Sequence, residues 1–160
     1  MAVADSSALI PLIKIGRLDL LRKVFDEILI PEAVWEEVVV EGKKLGKAVK
    51  EFEEGKERWF KVVAGRKLDS TPMSLEANDY QVFSTAKDDI LLTNDASLYY
   101  FALSQNGRPY WLTTLVLAAV KKKKISRNEA QDILLELVNT GGMHLKSDIL
   151  SELLMIIRNM

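Results

Sequence analysis

A chain of 160 residues that is 48% hydrophobic and 28% charged can bury one sizeable core, which excludes an intrinsically disordered protein. Its 22 basic and 23 acidic side chains leave a formal charge of −1, so no global positive field holds a polyanion and any nucleic-acid contact must be local. The lack of cysteine excludes disulfide frameworks and thiolate zinc sites and fits a reducing compartment, while a single histidine, His144, excludes multi-histidine metal sites.

Residues 2–4 form a short apolar strand ending at Asp5, after which Ser6 or Ser7 is expected to cap a helix patterned on Leu9, Leu12 and Ile13. Pro11 is expected in the first turn, where a missing N–H is harmless, and Gly16 ends or bends this helix before residues 18–25 resume it. Residues 28–30 read as a second buried strand stopped by Pro31, which opens a helix with Val34 and Val38 on one face and Gly42 at its end. The Lys/Glu-rich stretch 43–58 suggests a solvated peripheral helix. A third strand is expected at 60–64 and a loop at 65–74, and Asn78 with Gln81 has the form of a capping box opening a helix over 79–87. Residues 90–93 predict a fourth strand ending at Asn94-Asp95, residues 97–105 a helix stopped by Asn106-Gly107, and residues 110–112 a short fifth strand.

Three helices close the chain, at 114–123, 126–139 and 147–158. Ser126 with Glu129 forms a capping box, Gly141-Gly142 supplies a stop, and Leu150, Leu153, Leu154 and Ile157 make an apolar stripe. Strands alternating with helices predict a parallel sheet with helices on both faces. The opening residues lack the basic segment of a signal peptide, and the longest uncharged apolar stretch, 110–120, falls short of the roughly 20 residues of a membrane helix, so a soluble cytoplasmic protein without membrane association is expected.

In such a sheet, ligands gather beyond the carboxyl ends of the strands. Asp5 and Asp95 each follow a strand there, Asp79 stands at a helix start, and Glu37 falls beside the Val34/Val38 stripe while Glu36 points about 100° away. Four acids without a compensating base repel one another unless a hard divalent cation neutralises them, which predicts Mg²⁺ or Mn²⁺. Aspartates at strand ends and helix starts also serve as ordinary caps, so periodicity leaves both readings open.

The segment Asp5-Ser6-Ser7-Ala8-Leu9-Ile10 resembles the opening Asp-x-Ser-x-Leu-Ile of the PIN-domain ribonuclease family, and Ile30-Pro31-Glu32-Ala33-Val34-Trp35-Glu36-Glu37-Val38 is similar to its second-helix signature, whose final Glu ligates metal. Asp79 with Ala86 resembles the family's acidic helix start, and Leu91-Leu92-Thr93-Asn94-Asp95 with Leu98 its strand-end acid. Residues 113–126 and 141–150 are similar to the tail of the VapC-like toxin branch. The chain departs from the pattern with Asn94 where relatives often carry a second acid, with Thr113-Thr114 for Gly-Thr, and with a lysine for the Gly after the basic run.

The resemblance implies a single PIN-like domain over 1–160, a three-layer α/β/α fold with a four- or five-stranded parallel sheet, and a Mg²⁺- or Mn²⁺-dependent endoribonuclease. Asp5, Glu37, Asp79 and Asp95 would be the metal ligands and catalytic residues, with Ser7 orienting Asp5 or a bound water. It further implies an RNA substrate, the toxin role of a toxin–antitoxin pair with an antitoxin protein as partner, and a homodimer using a helix such as 147–158. Lys14, Arg17, Lys121 and Lys122 are candidate RNA contacts, although lysines at a helix C-terminus also oppose the dipole. Trp35, Trp59, Trp111, Tyr99 and Tyr100 can stack on unpaired bases or belong to the core. Two other functions compete: a catalytically inactive PIN-like RNA- or protein-binding module, and a phosphoacceptor receiver domain, whose paired acids after the first strand and late lysine are not clearly present.

Overall fold

The computed structural model describes residues 1–64 and 75–160; the loop expected at 65–74 lies outside them. Five strands, β1 (Ala2–Ala4), β2 (Ile28–Pro31), β3 (Lys61–Val63), β4 (Ile90–Leu92) and β5 (Arg108–Tyr110), form one parallel sheet in the order β3-β2-β1-β4-β5. Val3 pairs with Leu29 on one side and Leu91 on the other. All three residues of β1 are buried, so both of its faces are covered, as parallel strands flanked by helices require.

The helices are α1 (Ser6–Lys14), α2 (Asp19–Val24), α3 (Glu32–Leu45), α4 (Lys50–Gly55), α5 (Ala77–Ala86), α6 (Ala96–Ser104), α7 (Leu112–Lys121), α8 (Arg127–Asn139) and α9 (Ser147–Arg158), with a 3₁₀ turn over Gly46–Val49. Helix α1 packs on α3, α2 on α7, and α7, α8 and α9 pack in succession. This is the α/β architecture of a PIN-like fold. The chain leaves β1 to build β2 on one side and later returns to add β4 on the other, so the strand order reverses between β1 and β4, where α/β sheets open a binding crevice.

Several local expectations are corrected. Asp5, not Ser6 or Ser7, stands at the N-cap of α1, and Pro11 lies inside that helix rather than in its first turn. Gly42 does not end α3. The helix continues to Leu45, and Gly42 is required because a Cβ there would collide with Val49; Gly46, with φ +63°, supplies the stop. The 43–58 stretch is not one solvated helix. It breaks into the end of α3, the 3₁₀ turn and α4, and Phe52 is fully buried against Trp35 and Phe60 at ring separations of 5.0 and 5.1 Å. The Asn78/Gln81 box does not form, since Glu76 occupies the N-cap of α5. Strand β5 ends at Tyr110, so Leu112 already belongs to α7. Ser126 caps α8 by accepting from the Glu129 N–H at 3.1 Å.

Candidate functional site

Asp5 emerges from β1 with its N–H donating to the Leu92 carbonyl of β4 at 2.9 Å, which fixes it beside the neighbouring strand end. Its side chain is almost wholly buried and held by two hydroxyls. Ser7 Oγ donates to Asp5 Oδ2 at 2.6 Å and Thr93 Oγ1 donates to the same oxygen at 3.1 Å. Those hydroxyls in turn accept from the β4–α6 turn: Asn94 N–H donates to Ser7 Oγ at 2.8 Å and Asp95 N–H to Thr93 Oγ1 at 3.1 Å. A single network therefore ties the acid after β1 to the acid after β4. Asp95 also caps α6, its Oδ1 accepting from the Leu98 N–H at 3.1 Å, so it serves as an ordinary cap while standing at the rim.

Glu37 reaches the same place from α3, where its Oε2 accepts from Ser6 Oγ at 3.0 Å. Glu36 instead lines a different cleft with Glu32, Trp35 and Lys56. Asp79 comes from the first turn of α5 and Glu76 from its N-cap. Asp5, Ser7, Glu37, Glu76, Asp79 and Asp95 line one cleft of about 430 Å³ at the carboxyl edge of the sheet, next to the β1/β4 reversal. Glu76 is the acid that sequence reasoning missed. Its one signal was its position three residues before Asp79.

The electrostatics follow from this crowding. Burial pushes the Asp5 carboxyl up, partly offset by the Ser7 and Thr93 hydroxyls and by the backbone N–H groups of Ser6 and Ser7. Asp79 is pushed up to about 6, first by burial and then by the charges of Asp5, Asp95, Glu76 and Glu37. Among the described residues, no lysine, arginine or histidine lines the cleft and none of these acids joins an ion pair.

Among the described residues the donor set is therefore oxygen-only and uncompensated, which suits a hard divalent cation such as Mg²⁺ or Mn²⁺ in both charge and ligand type. Among the described residues, no three acidic or histidine side chains stand close enough to ligate one ion as they are placed. One Asp5 oxygen is committed to hydroxyls and one Asp95 oxygen to the helix cap.

The candidate RNA contacts are not brought to this cleft. Helices α1 and α7 start at the carboxyl edge and run for 9 and 10 residues, so their C-termini lie at the amino edge, some ~13–15 Å away. Arg17 is held there by Asp19 at 2.9 Å and Glu129 at 3.7 Å, and Lys122 Nζ donates to the Val24 carbonyl at 2.8 Å. Lys14 and Lys121 are exposed in the last turns of those two helices. Trp35 and Trp59 belong to the Phe52/Phe60 ring cluster, whereas Tyr99, Tyr100 and Trp111 cluster at the carboxyl edge.

Comparison with known proteins agrees with the architecture. Residues 1–159 match the family described as DUF3368, PIN domain, and the chain belongs to that PIN-domain family. The fold is similar, with a TM-score of 0.55 at 15% identity, to a PilT N-terminus domain protein from the hyperthermophilic archaeon Sulfolobus solfataricus P2, covering 74% of this chain and 92% of that one. A domain of a functionally unknown protein from Methanocaldococcus jannaschii DSM 2661 is 24% identical with a TM-score of 0.45, covering 69% of this chain and 89% of that one. No curated protein matches. PIN domains are generally nucleases that use divalent metals. Among the described residues, no helix is long and apolar enough to cross a membrane.

Proposed function

We propose that this PIN domain is a divalent-metal-dependent endoribonuclease in which Asp5, Glu37, Asp79 and Asp95 hold Mg²⁺ or Mn²⁺ at the carboxyl edge of the sheet. The observation that carries the reading is the convergence of Asp5, Glu37, Glu76, Asp79 and Asp95 on one cleft that, among its described lining residues, contains no cation. Such a concentration of charge destabilises a fold unless a ligand compensates it. When bound, a divalent ion supplies a means of activating water at neutral pH and of neutralising charge on a phosphodiester.

The chain's own residues prepare that chemistry. Ser7 and Thr93 fix the Asp5 carboxylate, and the same hydroxyls anchor the turn that presents Asp95. Ser6 holds Glu37 toward the cleft. Asp79 shares a proton with solvent near pH 6 and becomes fully ionised when positive charge offsets its neighbours. The resemblance of residues 113–126 and 141–150 to VapC-like tails extends the proposal to the toxin of a toxin–antitoxin pair. The exposed apolar side chains Ile149, Met155 and Ile156 of α9 support packing against a second copy of the chain in a homodimer.

The test is cleavage of single-stranded and structured RNA with Mn²⁺ or EDTA, using wild type and Asp5→Asn. Wild type is expected to cut only with metal, and Asp5→Asn to lose about 10³-fold in rate while keeping its circular dichroism. Full activity of Asp5→Asn, or cleavage undiminished in EDTA, would refute the reading. Metal-dependent RNA binding without cleavage of any substrate would favour the inactive binding module.

A further inference from the structure

We propose that Tyr99, Tyr100 and Trp111 form a stacking platform that seats an unpaired RNA base beside the acidic cleft. The proposal deepens the ribonuclease reading and rests on it for the identity of the polymer.

The aromatic residues fall into distinct environments. Trp35, Phe52, Trp59 and Phe60 pack together around the buried Phe52, and Tyr80, Phe83 and Phe101 pack against one another between α5 and α6. In the third group Tyr100 faces solvent, while Tyr99 and Trp111 are half-buried. Tyr99 and Trp111 stack with ring centroids 3.8 Å apart and 12° between planes, and Tyr100 sets its ring edgewise to both at 5.3 and 6.3 Å. Tyr100 is 63% exposed, an unusual position for a large ring that no core contact demands. The mutual stacking of Tyr99 and Trp111 fixes their orientation before any ligand arrives, so a base meets a preorganised surface.

The platform adjoins the acids through the backbone. Tyr99 N–H donates to the Asp95 carbonyl at 2.9 Å, placing Tyr99 in the first turn of α6, directly after the rim acid that caps it. Trp111 follows β5 directly, and its neighbour Tyr110 accepts the Thr93 N–H at 3.0 Å, within the same turn that presents Asp95. The rings thus stand at the same edge of the sheet as the acids, next to the turn that presents Asp95.

Charge gives this contact a use. Among the described residues, the cleft has no cationic lining, and Arg17 and Lys122 are partnered at the opposite edge. Among the described lining residues, none offers a lysine or arginine for phosphate pairing. Stacking supplies an alternative that tolerates sequence but demands an unpaired base, so the substrate class is single-stranded RNA.

The experiment uses the full chain carrying Asp5→Asn, with Mn²⁺, and a short single-stranded RNA bearing 2-aminopurine. Binding with fluorescence quenching is expected. Adding Tyr100→Ala should weaken binding about five-fold or more and relieve the quenching, while Tyr100→Trp restores both. Because Tyr100 is exposed, its loss does not threaten the fold, and Trp111→Leu provides a second probe. Equal affinity of Tyr100→Ala and its parent, absence of binding, or equal affinity for an abasic strand would overturn the platform. A shift from dimer to monomer in Tyr100→Ala, with RNA affinity unchanged, would also overturn it by assigning the rings to a subunit contact. If wild type cleaves RNA and Tyr100→Ala cleaves it with unchanged KM, the platform fails and the ribonuclease reading stands. If the stacking signature is present and wild type cuts nothing, the reverse holds.

Discussion

The two edges of the sheet treat charge in opposite ways. At the amino edge, several cations have partners: Arg17 bridges Asp19 and Glu129, Lys23 pairs with Asp19, and Lys122 donates to a helix-terminal carbonyl. At the carboxyl edge, Asp5, Glu37, Glu76, Asp79 and Asp95 share one cleft, and among the described residues none has a cationic partner. Partnered charge tethers loops to helices, whereas unpartnered charge of one sign raises the energy of the free protein and is relieved by a ligand of opposite sign. That asymmetry separates scaffold from site.

The sharpest way to break the comparison lies on α3. Glu37→Gln removes a charge from the cleft and is expected to lower the cleavage rate by at least about 10²-fold, while Glu36→Gln, whose carboxylate faces the cleft containing Lys56, leaves the rate unchanged. Single-turnover rates at saturating Mn²⁺ decide it. Equal losses in the two variants would mean that acidity of the helix, rather than the cleft, matters.

The next effect is on stability. The folded carboxyl of Asp79 titrates near 6, above the usual carboxylate range, so the native state binds its proton more tightly than the unfolded chain. Its contribution is therefore fully present below the unfolded value and is lost as pH rises through about 6. Thermal melts in EDTA at pH 5 and pH 7 should show this loss. Asp79→Asn should remove that component and raise the melting temperature at pH 7, and Mn²⁺ should stabilise wild type more than the variant. A lower melting temperature for Asp79→Asn at pH 7 in EDTA would show that the carboxylates are not in conflict.

The smallest effect belongs to the amino edge. Lys121→Ala is expected to change KM for RNA by less than about two-fold and to leave its salt dependence intact, because a helix of 10 residues separates it from the cleft. Weaker binding with a flatter salt slope would extend the RNA path across both edges.

Strands β1, β2 and β4 were legible because they are short apolar runs closed by Asp, Pro or Asn, signals that act locally, whereas β5, Arg108-Pro109-Tyr110, carries no such signal and lies two residues before its expected range. The acids after β1 and β4 were legible as neighbours through the family resemblance, and the separation of Glu37 from Glu36 followed from the 100° helical step. Where sequence reading went astray, tertiary contacts decided the outcome. Gly42 looks like a stop but exists for the close approach of Val49, and Phe52 looks peripheral but anchors a ring cluster. Glu76 gave little sign of its role because it caps α5 without a side-chain hydrogen bond. Lys14 and Arg17 follow Asp5 closely in sequence, yet α1 carries them to the other edge, a separation that proximity along the chain conceals.

The most direct test of the carboxyl edge as a metal centre is calorimetric titration of Mn²⁺ into wild type and Asp95→Asn at pH 7. Asparagine retains the ability to cap α6, so the fold should persist while one anionic ligand is lost. Saturable binding by wild type, weakened about ten-fold or more in Asp95→Asn, is the expected result. Equal affinity in the two proteins, or no saturable binding by wild type, would contradict the account.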